Sequence, residues 1–117
     1  MNYDDQNVFA RISRKEIPAD ILHEDEHCLA FRDIAPAAPT HFLVIPRRPI
    51  ACLADAAPED AAILGHLLVT AAEVARKLGI ADDGFRVVVN NGRRACQTVF
   101  HLHVHVLGGR DFSWPPG

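Results

Sequence analysis

The apolar positions of this 117-residue chain change period several times, and each change marks an element. Val8, Phe9 and Ile12 stand at helical spacing, predicting a short helix that stops before Pro18. Ile21–Glu24 and Cys28–Arg32 read as two short strands around the polar turn Glu24-Asp25-Glu26-His27. Pro36 and Pro39 bracket a loop, after which Thr40–Ile45 is a β-rich run closed by Pro46 and Pro49. Pro58–Leu78 is the clearest helix, because Leu64, Leu67, Leu68, Ala71, Ala75 and Leu78 recur at three- and four-residue steps and make one apolar face. Glu59 and Asp60 in its first turn and Arg76 and Lys77 in its last match the helix dipole, and Gly79 suits its end. Phe85–Asn90 is strand-like and stops at the turn signal Asn90-Asn91-Gly92. Val99–Leu107 is the final strand, before Gly108-Gly109 and a tail ending Trp114-Pro115-Pro116-Gly117.

Strands, one long helix, then strands imply an α+β fold whose sheet of about five strands is mainly antiparallel, rather than alternating βαβ units. Residues 1–117 suffice for a single domain with a real core but not for two, with residues 1–7 expected to be a flexible N-terminus. The Pro-Pro-Gly tail cannot be helical and is expected to be disordered or docked on a partner surface. A net charge of −3 gives no reason to expect a nucleic-acid polymer, although a single phosphate needs only a few donors. Cys28, Cys52 and Cys96 are odd in number and widely spaced, which argues against a disulfide framework and for a reducing compartment. The polar, acidic Met1–Val8 does not read as a signal peptide, and Gly65, His66, Thr70 and Glu73 break the longest apolar stretch, so no membrane partner and a cytoplasmic location are expected.

The chemistry-bearing feature is His101-Leu102-His103-Val104-His105. Alternate residues of a strand share a face, so the three imidazoles would point one way and Leu102, Val104 and Val106 toward the core. Imidazole transfers protons near neutral pH, and its neutral nitrogen is a nucleophile. A surface strand with incidental histidines, a zinc or copper site, and phosphoryl chemistry are the three readings of this triplet. Alternation alone does not separate the last two.

The residues around it do. Gln97–Arg110 carries the His-x-His-x-His-hydrophobic-hydrophobic signature, Phe31–Pro36 leads into Ala38–Pro46, Arg14–Ala19 lies near the start, and Trp114-Pro115-Pro116-Gly117 closes the chain. In these four motifs, in this order, the chain from about Val8 to Gly117 resembles the histidine-triad superfamily, and within it the Hint branch of nucleoside phosphoramidate hydrolases.

That resemblance implies a histidine-triad fold, a homodimer built on the long helix and a central strand, and hydrolysis of the P–N bond of purine nucleoside 5′-phosphoramidates. His103 matches the nucleophile that forms a nucleotidyl-histidine, its tautomer fixed by a backbone carbonyl. His105 matches the histidine that contacts the phosphate, and His101 and His41 match two supporting histidines. Asn90 and Thr98 match polar contacts to the phosphate and leaving group, and Asp33 the acid that binds the ribose hydroxyls. Phe9, Ile12, Phe31, Ile34 and Leu43 would supply the apolar slot for the base, with Gln97 and Val99 beside it and Trp114 reaching the dimer partner's site. No cofactor is implied, and no metal, because Asp5–Val8 lack the cysteines that zinc-carrying relatives bring from that segment. Thr98, Cys96 and Pro49 stand where relatives often have serine, glycine and histidine, all on the leaving-group side. Dinucleoside polyphosphate hydrolysis, as in the Fhit branch, and non-catalytic nucleotide binding or scaffolding are the alternatives.

Overall fold

In a computed structural model describing residues 1–117, the three apolar runs before residue 50 form consecutive antiparallel strands. They are β1 (Ile21–Glu24), β2 (Cys28–Arg32) and β3 (Thr40–Pro46). Two further strands, β4 (Phe85–Val88) and β5 (Val104–Gly108), complete one sheet in the order β1-β2-β3-β5-β4. The β3–β5 register pairs Leu43 with His105, and β4 brings Val88 to the other side of the same histidine. His105 therefore sits mid-sheet between two bonded neighbours.

Alternation along β2 and β3 divides the core by sheet face. Cys28, Ala30, Phe42 and Val44 pack with Val104 and Val106 under the long helix α2 (Ala61–Lys77). Leu29, Phe31, Leu43 and Ile45 line the opposite face, joined by Phe9 and Ile12 of the short helix α1 (Val8–Ser13). The Asn7 side chain accepts a hydrogen bond from Ala10 N and caps α1. No helix is long and apolar enough to cross a membrane.

Three boundaries and the buried face of α2 differ from the sequence expectation. Pro58–Asp60 is a separate 3₁₀ turn rather than the start of α2, because the Asp60 carboxylate takes the Ala57 amide and holds the chain in a tighter turn. The buried stripe of α2 is Leu67, Thr70, Ala71, Val74 and Ala75, whereas Leu68 lies outside it and is 52% exposed, beside Val69 at 57%. The strand through Phe85 ends at Val88, short of Asn90. The last strand begins only at Val104, since Leu102 N bonds Ile50 O (2.7 Å) and ties the preceding segment to the loop after β3 rather than to β3 itself.

Residues 1–7, expected to be flexible, make specific contacts with the body. The Met1 ammonium lies 3.3 Å from Asp55, and the Tyr3 hydroxyl reaches His101. At the other end Phe112 lies under the guanidinium groups of Arg86 and Arg110, and Arg86 also bonds Ser113 O (2.8 Å).

Candidate active site

The histidines are fixed one by one through their ring nitrogens. His41, at the start of β3, accepts the Ala37 amide at Nδ1 (3.0 Å), so its proton is on Nε2. That Nε2–H donates to His105 Nδ1 (2.9 Å), which leaves the His105 proton on Nε2 as an outward donor. His103 Nδ1 donates to His101 O (2.7 Å), because a carbonyl only accepts, and its Nε2 is left as a free lone pair. His101 is held at both nitrogens, with Nε2–H on Pro46 O (2.8 Å) and Nδ1 accepting from the Tyr3 hydroxyl (2.6 Å).

Three of the four rings form a row. His41 and His105 are 5.2 Å apart between centroids and His105 and His103 5.0 Å, with Phe9 edge-on to His103 at 4.9 Å. His101 does not join this row as strict alternation predicted. It precedes β5, fully buried, and its side chain ties the N-terminal segment to the end of β3 while its carbonyl orients His103.

Burial sets the protonation states. Desolvation lowers His103, and the His101 carbonyl and Asp33 only partly restore it. His105 is pushed down to about 4 by desolvation, and then by His103 and His41. His41 and His101 are likewise lowered, chiefly by desolvation. All four imidazoles are thus neutral at pH 7, as a nucleophilic Nε2 requires.

Beside this row lies a cavity of about 350 Å³, the scale of a small-ligand pocket. Phe9, Ile12, Phe31, Ile34, Leu43, Val99, Thr98 and Asp33 all line it, so most of the expected base-binding positions come together. Val8, Ile17, Pro18 and Ala19, from the apolar stretch around α1, line it too, as does Arg32 at the end of β2, and none of these was expected there. Ile34 forms an open lip, fully exposed. The Asp33 carboxylate accepts the Ala35 amide at Oδ1 (2.8 Å), and Oδ2 lies 3.5 Å from His41 Nε2. Asn90 lies two residues past the Val88–His105 pair, a register that continues toward His103.

Gln97 and Trp114 do not join the pocket of their own chain. The Gln97 side chain is buried and committed to the loop, accepting Gly92 N and donating to Ala51 O and Val99 O. Trp114 is 82% exposed at the end of the tail. Arg93 and Arg94 lie on an exposed 3₁₀ turn that ends at Cys96, which adopts φ +70°. That left-handed conformation favours glycine and is strained for a residue with a Cβ.

The HIT domain model matches residues 14–112, most of the chain and all of the triad. The chain belongs to the HIT domain family. An uncharacterised HIT-like protein of Synechocystis sp. is 58% identical over 97% of this chain and 98% of its own length. A 14 kDa zinc-binding protein of Zea mays is 50% identical over 97% of this chain and 90% of its own. The crystal structure of a HIT family hydrolase from Legionella pneumophila superposes with a TM-score of 0.94 at 43% identity, covering 96% of this HIT domain and 100% of that chain. The fold is therefore that of a HIT family hydrolase.

Two clusters in this HIT domain bring three metal-ligating atoms within 4.8 Å of one another: Asp33, His41 and His105, and separately His23, Asp25 and Cys28. A cation on the first would compete with the His41–His105 hydrogen bond that sets the His105 tautomer.

Proposed function

We propose that this HIT domain hydrolyses the P–N bond of purine nucleoside 5′-phosphoramidates through a nucleotidyl-His103 intermediate. The observation that carries the reading is the 2.7 Å bond from His103 Nδ1 to His101 O, which leaves Nε2 unprotonated, in a ring packed against Phe9 of the pocket wall.

The base enters the apolar slot between Phe9, Phe31 and Leu43, and Asp33 accepts from the ribose hydroxyls at the slot's polar edge. His103 Nε2 attacks the α-phosphorus, forming an N–P bond as the bond to the amine breaks. The amine takes a proton from solvent as it leaves, relayed by the Thr98 hydroxyl on the pocket wall, and the attacking water later returns one proton to solvent. The Nδ1–H to His101 O bond steadies the positive charge that the ring acquires. His105 Nε2–H, oriented through His41, donates to a non-bridging oxygen. Water then displaces His103 from phosphorus, releasing the nucleoside monophosphate and restoring the neutral ring.

The reading includes a homodimer in which the long helix α2 and a central strand form the interface and the tail carrying Trp114 reaches the partner's pocket. The exposed Leu68 and Val69 on α2 support it. The strain at Cys96 and the extra methyl of Thr98 both act on the leaving-group side, so they bear on which amine is preferred.

Release of nucleoside monophosphate from a purine phosphoramidate, compared with release from a dinucleoside polyphosphate, tests the assignment. The phosphoramidate is expected to be the better substrate by kcat/KM. His103→Ala should lower kcat on the order of 10³-fold or more while nucleotide affinity stays close to wild type. A preference for the dinucleotide would reassign the enzyme to polyphosphate hydrolysis. Affinity without turnover of either would make it a binding protein.

A further inference from the structure

On the sheet face opposite the nucleotide pocket, a second group of chemistry-bearing side chains meets where the β1–β2 turn touches α2. His23 Nε2 of β1 and His66 Nε2 of α2 both lie 2.8 Å from one oxygen, Asp25 Oδ2. Cys28 Sγ, the first residue of β2, lies 3.6 Å from that oxygen and 3.7 Å from Thr70 Oγ1. The other Asp25 oxygen accepts the His27 and Cys28 amides, so the carboxylate is rigidly aimed. We propose that His23, Asp25, Cys28 and His66 form a zinc-binding site.

Donor type, charge and access fit, and the ligand atoms of His23, Asp25 and Cys28 lie within 4.8 Å of one another. Tetrahedral zinc with bonds of about 2.0–2.3 Å holds its ligand atoms roughly 3.3–3.8 Å apart. The 3.6 Å sulfur–oxygen separation is already of that size, the 2.8 Å His23–Asp25 contact needs to open by less than an ångström, and His66, bonded to the same Asp25 oxygen but outside the compact three-atom group, has to swing inward. One thiolate and one carboxylate neutralise a dication, and two neutral imidazoles complete the shell without adding charge. Cys28 is fully buried and forms the floor, while the side chains of His23, Asp25 and His66 are 21%, 27% and 36% exposed, leaving the outer side open to solvent.

Without a cation the cluster is closed by hydrogen bonds. Burial raises the Asp25 carboxyl, but the bonds from His23, His66 and the two amides outweigh it and hold the group ionised far below the usual carboxylate range. Burial raises the Cys28 thiol to about 11. Binding zinc would displace the Cys28 thiol proton, with the Thr70 hydroxyl free to donate to the resulting thiolate. The site shares no ligand with the histidine row, and its occupancy does not depend on the proposed hydrolysis.

The test is metal titration of the tag-free full-length chain with zinc and with cobalt(II), read by native mass spectrometry and near-ultraviolet absorbance. One ion per chain and a thiolate-to-cobalt charge-transfer band are expected. His66→Gln and His23→Gln, both at partly exposed positions, should each weaken binding by about tenfold or more. Cys28→Ser should abolish the band, and His103→Ala should leave both readouts unchanged. Circular dichroism checks that each variant is folded, and the two histidine variants decide the matter if Cys28→Ser is not. Failure to bind at micromolar metal overturns the proposal, and so does binding that survives both histidine changes but is lost in His105→Gln.

Discussion

At the residue scale, the chemistry rests on which nitrogen of each imidazole carries its proton. His103 keeps a free lone pair on Nε2 only because its Nδ1–H is held by the carbonyl two residues back. Burial then keeps that lone pair free, with a definite sign in the pH profile. The folded-state pKa of His103 lies below the ordinary imidazole value, so the neutral nucleophile survives acidification past the point where a solvated histidine charges. The acid limb of kcat/KM, which reports groups of the free enzyme, is expected to have its midpoint below pH 6.5. A midpoint above that value would mean His103 is solvated or paired with a charge. Asp33 offers a second single-residue test, since its carboxylate lies at the edge of a mainly apolar slot. A charge-assisted hydrogen bond of about 1.5–3 kcal/mol implies that Asp33→Asn weakens AMP binding roughly tenfold or more and changes binding of the dideoxyribose analogue far less. Isothermal titration of both ligands measures this, and equal losses would remove Asp33 from ribose recognition.

At the element scale, the sheet was readable wherever a run's hydrogen bonds go to a neighbouring strand, and misread where they go elsewhere. β1, β2 and β3 appear within a residue of their expected ends, because alternation and flanking polar or proline residues agree. β5 starts five residues late because the Gln97 amide and the Leu102 N–H bond to the loop near residues 50–51, a pairing no local pattern encodes. The same long-range pairing hid Tyr3, which sits 98 residues from His101 in an N-terminal stretch that reads as polar and loose. It hid the zinc-type cluster as well, since His66 meets Asp25 only after α2 folds over the sheet. A further tertiary constraint falls on Gly108, the last residue of β5. A Cβ there would lie 2.8 Å from Ile80 Cδ1 and 3.0 Å from Ile80 Cβ, in the segment leaving α2. Gly108→Ala should destabilise the fold by about 1–3 kcal/mol in a denaturant titration, and an unchanged midpoint would show that Ile80 yields freely.

At the scale of the whole molecule, one sheet separates two faces with different tasks. The α1 face holds the pocket and the histidine row, and the α2 face holds the larger core and the cluster around Asp25. The outer side of α2 leaves Leu68 and Val69 in solvent, and Val87 of β4 is 39% exposed. Large apolar side chains grouped on one side suit a partner surface, and the proposed dimer would cover them. Light scattering is expected to give twice the 12.9 kDa chain mass, with Val69→Glu shifting the protein toward the monomer. A monomeric wild type would leave each pocket without the partner's tail and remove Trp114 from the account.

The nucleophilic role of His103 is tested most directly by trapping. The enzyme is mixed with a purine nucleoside phosphoramidate, quenched in alkaline denaturant during turnover because P–N bonds to histidine are acid-labile, and digested for tandem mass spectrometry. A nucleotidyl adduct on His103, absent from His103→Ala, is the predicted result. An adduct on His101 or His105, or full turnover by His103→Ala, would contradict it.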